Sequence, residues 1–325
     1  MIQATRRATL AAAAVLPFAA RAARAQDWSP REPIRLINPF APGGSPDILA
    51  RVMAPHVQGF LGQPMVVENR PGAGAAVGTR SVATARPDGH TVLLAPISSV
   101  IAPFMMREPG YALTDFRPVV LLATTPFILI ARPGLFADVR AWDREVRANP
   151  GRFTAATGGP GTPHQLAAAL YQSMTGAEFT LVNYRGTAAA LTDLRAGVVD
   201  FMFADMPATM GQVRAGALQA LAVNIPNRVP VLPDVPTMSE TVAPGFSANS
   251  WVMWWVPAAT PEPVIRRLNA AARHALAQPD VVARVTEVGF VDAAGSDIPT
   301  AEAHKRGEAE KWGALIRARG LRFED

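Results

Sequence analysis

The chain contains no cysteine among its 325 residues. Disulfide bonds, thiolate metal sites, a cysteine nucleophile and the lipid-bearing cysteine of an exported lipoprotein are therefore excluded. The fold has to be stabilised by its hydrophobic core, and a chain of this length is long enough for one large or two medium domains.

Long apolar runs and dense basic patches are missing after the first 25 residues. No later segment has the uninterrupted apolar length of a membrane span, so we expect a soluble mature protein that does not itself span the membrane. The formal charge of +5 falls to +1 once the four arginines of residues 1–25 are removed, and the remaining basic residues are scattered. A nucleic-acid partner is therefore a poor candidate.

Sequence signatures of common catalytic centres are also absent. The five histidines are dispersed, no His-Glu-x-x-His or Gly-x-Ser-x-Gly pattern occurs, and no P-loop lysine follows the glycines. We therefore expect a protein that is not an enzyme and uses no metal and no cofactor. An enzyme stays open as the alternative, since residues distant in sequence can meet in one folded site.

The amino-terminal residues have the pattern of an export signal. Arg6 and Arg7 precede the apolar run 8–20, and Ala23-Arg24-Ala25 is a small-x-small cleavage site. We expect residues 1–25 to be a signal peptide that is removed, which leaves a periplasmic chain beginning near Gln26. The segment also resembles a twin-arginine signal, so both the general and the twin-arginine export routes stay open.

Short runs of valine, isoleucine and leucine alternate with longer helical patterns in the rest of the chain. This alternation predicts an α/β fold with a largely parallel sheet. The predicted strands lie at 34–37, 65–67, 91–94, 127–131, 153–155, 179–182, 201–203 and 220–223, and the clearest helices at 163–174, 188–196 and 261–277.

Three glycine-marked junctions, 38–47, 157–163 and 184–187, each connect a predicted strand to a predicted helix. Glycine lets the main chain approach a ligand closely, and the first amide groups of a helix lack internal partners and carry partial positive charge. In open α/β sheets, ligands bind at the carboxyl ends of strands. The junctions therefore predict a site for a carboxylate or phosphate, with ordinary turns as the alternative.

An ordered set of segments carries a resemblance to a known family. The segments are 39–47 (PFAPGGSPD), 67–74 (VENRPGAG), 86–91 (RPDGHT), 183–186 (NYRG), 190–194 (ALTDL), 232–237 (LPDVPT) and 257–261 (PAATP). From Pro33 to its carboxyl terminus, the chain resembles the Bug-type substrate-binding proteins of tripartite tricarboxylate transporters. The resemblance implies a type II periplasmic-binding-protein fold, in which two α/β domains close on a small carboxylate and present it to a membrane permease.

The chain of this family crosses between its two domains twice. We place the crossings near 123–126 and 224–228. Residues 26–125 and 226–325 would then form a discontinuous first domain, and residues 126–225 the second. A periplasmic sensor module of a signalling system would bind the same ligand, and the sequence does not separate that function from transport.

The resemblance assigns ligand-binding residues to two loops of the first domain. The first loop contributes Phe40, Ala41, Gly43, Gly44 and Ser45, and the second contributes Ser98 and Ser99. Phe40 either walls the pocket or packs in the core. Asp47 is expected to organise the first loop by accepting hydrogen bonds from backbone amides, since its negative charge would repel an anion.

In the second domain, Gly159, Gly161 and Thr162 match the glycine-rich loop of the family. Thr162 can cap the following helix and donate its hydroxyl proton to a ligand. The family usually has a histidine directly before the leucine that corresponds to Leu166, where this chain has Gln165. A shift of one residue rotates a side chain by about 100° around a helix, so we do not transfer that role to His164.

Three further positions of the second half complete the prediction. Tyr184 and Arg185 occupy the Tyr-Lys-Gly position of the family, and Tyr184 is the better candidate for a ligand hydrogen bond. Asp205 follows a buried strand and could accept from a hydroxyl or ammonium group of the ligand, with the simple start of the next turn as the alternative. The tryptophans at 251, 254 and 255 are expected in the core rather than in the pocket.

Overall fold

The structure, a computed structural model, describes residues 28–159, 162–184, 186–291 and 293–322. The predicted signal peptide, Gly161 and Arg185 lie outside these described residues.

Within these ranges, nine strands form one mixed sheet in the order β2-β1-β3-β9-β4-β7-β5-β6, with β8 paired to β4. The strands are Ile34–Asn38 (β1), Met65–Asn69 (β2), Thr91–Pro96 (β3), Phe116–Ala131 (β4), Thr154–Thr157 (β5), Thr180–Asn183 (β6), Phe201–Asp205 (β7), Gln219–Val223 (β8) and Asn249–Pro257 (β9). All eight predicted strands are present, which confirms the α/β prediction, while β9 and the first half of β4 are additional.

Helices pack against the sheet between the strands. They are Ser45–Leu61 (α1), Ala76–Ala83 (α2), Ser98–Met105 (α3), Val139–Ala148 (α4), Pro163–Thr175 (α5), Thr187–Ala196 (α6), Met206–Arg214 (α7), Met238–Thr241 (α8), Glu262–Leu276 (α9), Pro279–Glu287 (α10) and Ile298–Arg319 (α11). Short 3-10 turns lie at Ala73–Ala75 and Leu113–Asp115. None of the helices in the described ranges combines the length and apolar character that crossing a bilayer requires.

The prediction of a largely parallel sheet is correct only for the outer strands. β1 is parallel to β2 and β3, and β5 is parallel to β6 and β7. β9 is antiparallel to β3 and β4, and β4 is also antiparallel to β7 and β8. A continuous apolar run such as 251–256 fits a buried strand of either direction, so the hydrophobic pattern did not reveal this arrangement.

The long strand β4 changes its partner along its length. Residues 116–126 pair with β9, whereas residues 127–131 pair with β7 and β8. The crossing predicted at 123–126 falls at this change of partner, and the crossing predicted at 224–228 follows the end of β8. The assignment of two domains with these boundaries stays a prediction.

The core is formed by apolar side chains on both faces of the sheet. Leu49 and Met53 of α1 and Leu268 of α9 are fully buried with the side chains of β1 and β3. The tryptophans at 251, 254 and 255 are completely buried in β9, as the sequence predicts. Trp251 donates its indole proton to the buried carboxylate of Glu308 on α11 at 2.9 Å.

Candidate ligand-binding cleft

A cavity of about 390 Å³ lies where the middle segment of the chain faces the outer segments. Its wall from the outer segments consists of Phe40, Gly74, Pro96, Ile97, Ser98, Ile101 and Ser250, and its wall from the middle segment of Thr162, Pro163, His164 and Asp205. The cavity is therefore lined by two parts of the chain that are distant in sequence.

The amino termini of three helices meet at this cavity. Ile97, Thr162 and Asp205 occupy the N-cap positions of α3, α5 and α7, and all three line the cavity. The first N–H groups of a helix have no partner within the helix and carry partial positive charge. Three such ends from both sides of one cavity make a favourable environment for an anion.

The two serines that begin α3 have different environments. Ser98 lines the cavity and is partly exposed, and its hydroxyl has no hydrogen-bond partner among the described residues. Ser99 is completely buried, and its hydroxyl lies 2.8 Å from that of Thr79. Ser98 is thus the member of the predicted pair that a bound molecule in the cavity could reach.

A short loop with an unusual backbone conformation forms part of the wall. Ala73, Gly74 and Ala75 have φ angles of 45°, 58° and 81°, which lie in the left-handed region. Alanine adopts this region only at an energetic cost, and such strained residues concentrate at functional sites. The sequence marks this loop only by its glycines, and Gly74 was not among the predicted ligand-binding residues.

In the first predicted loop, the aromatic side chain is the part that reaches the cavity. Phe40 is partly exposed and lines the cavity, while Ala41, Gly43, Gly44 and Ser45 are absent from its wall. The N–H of Gly43 donates to Oδ2 of Asp47 at 3.0 Å, so this amide is already occupied.

The predicted role of Asp47 as an organiser of this loop is confirmed. Its buried carboxylate accepts hydrogen bonds from Gly43 N–H, Arg51 Nε at 2.9 Å and Asn69 Nδ2 at 2.8 Å. Burial alone raises the pKa of Asp47, but the hydrogen bonds from Arg51, Gly43 and Asn69 outweigh this effect and hold the pKa well below its usual range.

In the glycine-rich loop of the middle segment, hydrogen bonds within the loop occupy the polar groups of Thr162 and the N–H of Gly159. Thr162 caps α5 by accepting from Gln165 N–H and donates its hydroxyl proton to the carbonyl of Gly159 at 2.8 Å. Gly159, with a φ of 110°, donates its N–H to the Thr157 hydroxyl at 3.2 Å. Thr162 lines the cavity, whereas Gly159 is buried behind it.

Tyr184 lies outside the wall of this cavity. Its phenol donates to Oδ2 of Asp193 at 2.8 Å, which leaves the oxygen as an acceptor only. Burial and the neighbouring Asp193 carboxylate raise the pKa of Tyr184, so the phenol keeps its proton.

The most polar part of the wall is a pair formed by His164 and Asp205. Nε2 of His164 lies 2.9 Å from Oδ2 of Asp205, and because an ionised carboxylate only accepts, Nε2 carries the proton. The histidine ring is almost completely buried and packs against Phe127, with 5.1 Å between ring centroids. Its Nδ1 is buried without a hydrogen-bond partner in the described structure, beside Gly158.

Sequence reasoning missed several members of the wall. These are Gly74, Pro96, Ile97, Ile101, Pro163, His164 and Ser250. The position of His164 in the first turn of α5, two residues after the cap residue Thr162, is the signal that could have found it, although the family histidine lies one residue later. Ser250 lies in β9, which the strand analysis did not identify.

Comparison with known proteins identifies the family of this chain. The profile of the TctC family, described as tripartite tricarboxylate transporter family receptor, matches residues 49–321. A UPF0065 protein from the tcbD-tcbE intergenic region of Pseudomonas sp. strain P51 is 38% identical over 316 residues, which cover 96% of this chain and 94% of the relative. Protein BugT of Bordetella pertussis is 34% identical and covers 92% of each chain.

Solved structures of similar proteins include two described with carboxylates. MatC from Rhodopseudomonas palustris, with bound malate, is 30% identical with a TM-score of 0.70 and covers 88% of this chain and 99% of its own. A second R. palustris protein, with adipate, is 28% identical with a TM-score of 0.74 and covers 90% of this chain and 99% of its own.

These matches extend over most of both chains, and the TM-scores of 0.70 and 0.74 show that the solved structures share the fold of this chain. The predicted type II periplasmic-binding-protein fold is confirmed. The chain belongs to the TctC family of tripartite tricarboxylate transporter receptors, the family of Bug-type periplasmic solute-binding proteins, as the sequence resemblance indicates.

Proposed function

We propose that this protein captures a small carboxylate in the periplasm and delivers it to the membrane permease of a tripartite transporter. The observation that carries this proposal is the convergence of three helix amino termini, at Ile97, Thr162 and Asp205, on one cavity. Helix amino termini favour anions, and the family is one of transporter receptors, which supports transport rather than signalling.

The described wall of the cavity offers a carboxylate neutral donors rather than a basic side chain. No lysine or arginine belongs to this wall, whereas the hydroxyls of Ser98 and Ser250 have no other partner in the described ranges. Donors of this kind recognise the carboxylate group and leave the rest of the ligand to the shape of the pocket. Relatives with malate and with adipate agree with such recognition.

Closure of two domains on the ligand completes the proposed mechanism. Because the wall is built from both the middle and the outer segments, a ligand contacts all of its donors only when the two segments are close together. We assign residues 26–125 and 226–325 to one domain and residues 126–225 to the other. The change of partner within β4 supports a hinge near 123–126.

The geometry of His164 supports binding without catalysis. In a serine hydrolase, one ring nitrogen of the histidine faces a carboxylate and the other faces the nucleophilic hydroxyl. Here Nε2 faces Asp205, but Nδ1 is buried beside Gly158 and bonds to no described hydroxyl. The ring thus makes no described hydrogen bond to the hydroxyls of Ser98, Ser250 or Thr162, which supports the reversible, noncovalent capture that we propose.

A thermal-shift panel tests the proposal. The exported protein is refolded from denaturant to remove any bound ligand and then heated with mono-, di- and tricarboxylates, their amides, and phosphate esters. A carboxylate at about one hundred times its dissociation constant should raise the melting temperature by roughly 5 °C or more, while its uncharged amide should not. Stabilisation by phosphate esters alone would contradict the proposal.

Transport is tested separately from binding. Uptake of the stabilising carboxylate, supplied in radiolabelled form, is compared between cells with and without the gene. Loss of uptake, with restoration by the wild-type gene, is the expected result. Unchanged uptake together with a lost transcriptional response to the same compound would assign the protein to signalling instead.

A further inference from the structure

The carboxylate of Asp205 does not cap the helix that follows it. An aspartate at an N-cap position normally accepts a hydrogen bond from the backbone at the start of its helix. Asp138 and Asp297 do so in this chain, accepting from Ala141 N–H at 2.8 Å and Thr300 N–H at 2.9 Å. Asp205 occupies the same position at α7 but makes no capping hydrogen bond.

His164 holds this carboxylate in its unusual orientation. Its Nε2 proton is donated to Oδ2 of Asp205, across from α5 to the end of β7. The other oxygen, Oδ1, has no partner among the described residues. The Asp205 side chain is 34% exposed and lines the cavity, so it presents a hydrogen-bond acceptor to whatever fills that space.

The negative charge of the Asp205 carboxylate disfavours a ligand that has carboxylate groups but no hydrogen-bond donor. Asp205 is the only acidic residue in the described wall of the cavity. A ligand that presents only carboxylate oxygens and methylene groups would be repelled there and would leave Oδ1 without a partner. A hydroxyl or ammonium group on the ligand would instead donate to Oδ1 in a charge-assisted hydrogen bond.

We infer that the ligand is a carboxylate that also carries a hydrogen-bond donor, a hydroxyl or an ammonium group, on its carbon chain. This inference rests on the proposed function. The ends of α3 and α5 and the hydroxyls of Ser98 and Ser250 receive the carboxylate, and Asp205 at the end of α7 receives the donor. His164 is a positioning residue, because it acts by keeping the Asp205 carboxylate in the cavity and away from α7.

Matched ligand series test the inference by calorimetric titration of the exported, refolded protein. The series are propionate, lactate and alanine; succinate, malate and aspartate; and adipate with 2-hydroxyadipate and 2-aminoadipate. In the series that binds, at least one donor-bearing acid should bind about tenfold or more tightly than its unsubstituted parent. The hydroxy and amino members distinguish the two kinds of donor.

Variants locate this selectivity at Asp205. Asp205→Asn and Asp205→Ala should weaken binding of the donor-bearing acid and leave the parent acid equal or tighter, because a like charge has been removed. The selectivity ratio is the affinity for the donor-bearing acid divided by the affinity for its parent acid, and His164→Leu should also reduce it. The melting temperature of His164→Leu should be unchanged or raised if the freed carboxylate caps α7. Asp297→Ala, which removes a capping aspartate outside the wall of the cavity, is the matched control and should leave the ratio unchanged.

The outcomes separate the two proposals. If the unsubstituted parents bind as tightly as the donor-bearing acids, the inference fails while carboxylate capture stands. The inference also fails if the selectivity survives in both folded Asp205 variants. If no carboxylate binds the folded wild-type protein, the proposed function fails and the inference fails with it.

Discussion

Gly289 and Pro207 lie so close together that a β-carbon at Gly289 would be 2.0 Å from Cγ of Pro207. Pro207 lies in the first turn of α7, two residues after the cavity residue Asp205, and Gly289 lies between α10 and the bridge from Val291 to Thr124. The contact thus joins the cavity end of α7 to the chain beside the proposed hinge.

Replacement of Gly289 by alanine should therefore destabilise the protein in two ways. The side chain disfavours the positive φ of this position, and its β-carbon also clashes with Pro207. Gly289 has a φ of 84°, and Gly245 has a similar φ of 81°, but a β-carbon at Gly245 would meet no atom within 4 Å. Gly289→Ala should lower the free energy of unfolding by about 1–3 kcal/mol more than Gly245→Ala, measured by urea denaturation. Equal losses in the two variants would show that the Pro207 contact adjusts without cost.

Asp47 should determine the stability of the first loop. Asp47→Asn removes a buried carboxylate that accepts from Gly43, Arg51 and Asn69, and we expect a loss of about 2–4 kcal/mol in the free energy of unfolding. The exposed Asp234→Asn is the matched control, with a change within about 0.5 kcal/mol.

The same carboxylate should contribute to acid sensitivity. Because the pKa of Asp47 is lower in the folded than in the unfolded protein, its stabilising effect is complete above the unfolded value of about 3.9 and disappears as the pH falls through the folded value. Between pH 5 and pH 2, wild-type stability should fall more steeply than that of Asp47→Asn. Parallel pH profiles would contradict this assignment.

Lys305 should make stability rise at alkaline pH. Its ammonium group donates to the carbonyls of Leu113 and Phe116, both at 2.6 Å, and burial lowers the pKa of Lys305 to about 8. The unfolded chain retains this proton up to a pKa of about 10.4, so between these values unfolding takes up a proton and stability increases with pH.

The expected gain from Lys305 is about 2 kcal/mol between pH 8 and pH 10. Lys305→Met should abolish this rise, whereas the exposed Arg306→Met should keep it, as measured by urea denaturation at each pH. A rise of the same size in Lys305→Met would mean that another group causes it.

The fold was predictable because hydrophobic alternation and glycine junctions are local signals. The strand at 34–37 and the helix at 163–174 agree with β1 and α5 to within one residue at each end. β9 was missed because its run of tryptophan, valine and methionine has no alternation to distinguish a strand from other buried segments. Ser250 was missed with it.

The site was only partly predictable, because a glycine loop does not show which of its amides are already bonded. Gly43 belongs to the family pattern, yet its N–H is used by Asp47, and Ser98 rather than Ser99 faces the cavity. The pairing of His164 with Asp205 joins residues 41 positions apart, and only the folded sheet brings them together. Ligand contact by the predicted residues remains a prediction.

The central claim, that the cavity receives the carboxylate, is tested most directly by calorimetric titration of the best ligand into two serine variants. Ser98→Asp places a negative charge in the cavity wall, whereas Ser45→Asp places it on the first predicted loop, outside that wall. We predict that Ser98→Asp weakens binding by at least about tenfold and that Ser45→Asp leaves it nearly unchanged. Tight binding by folded Ser98→Asp, with loss of binding in Ser45→Asp, would contradict the account and place the ligand at the glycine loop instead.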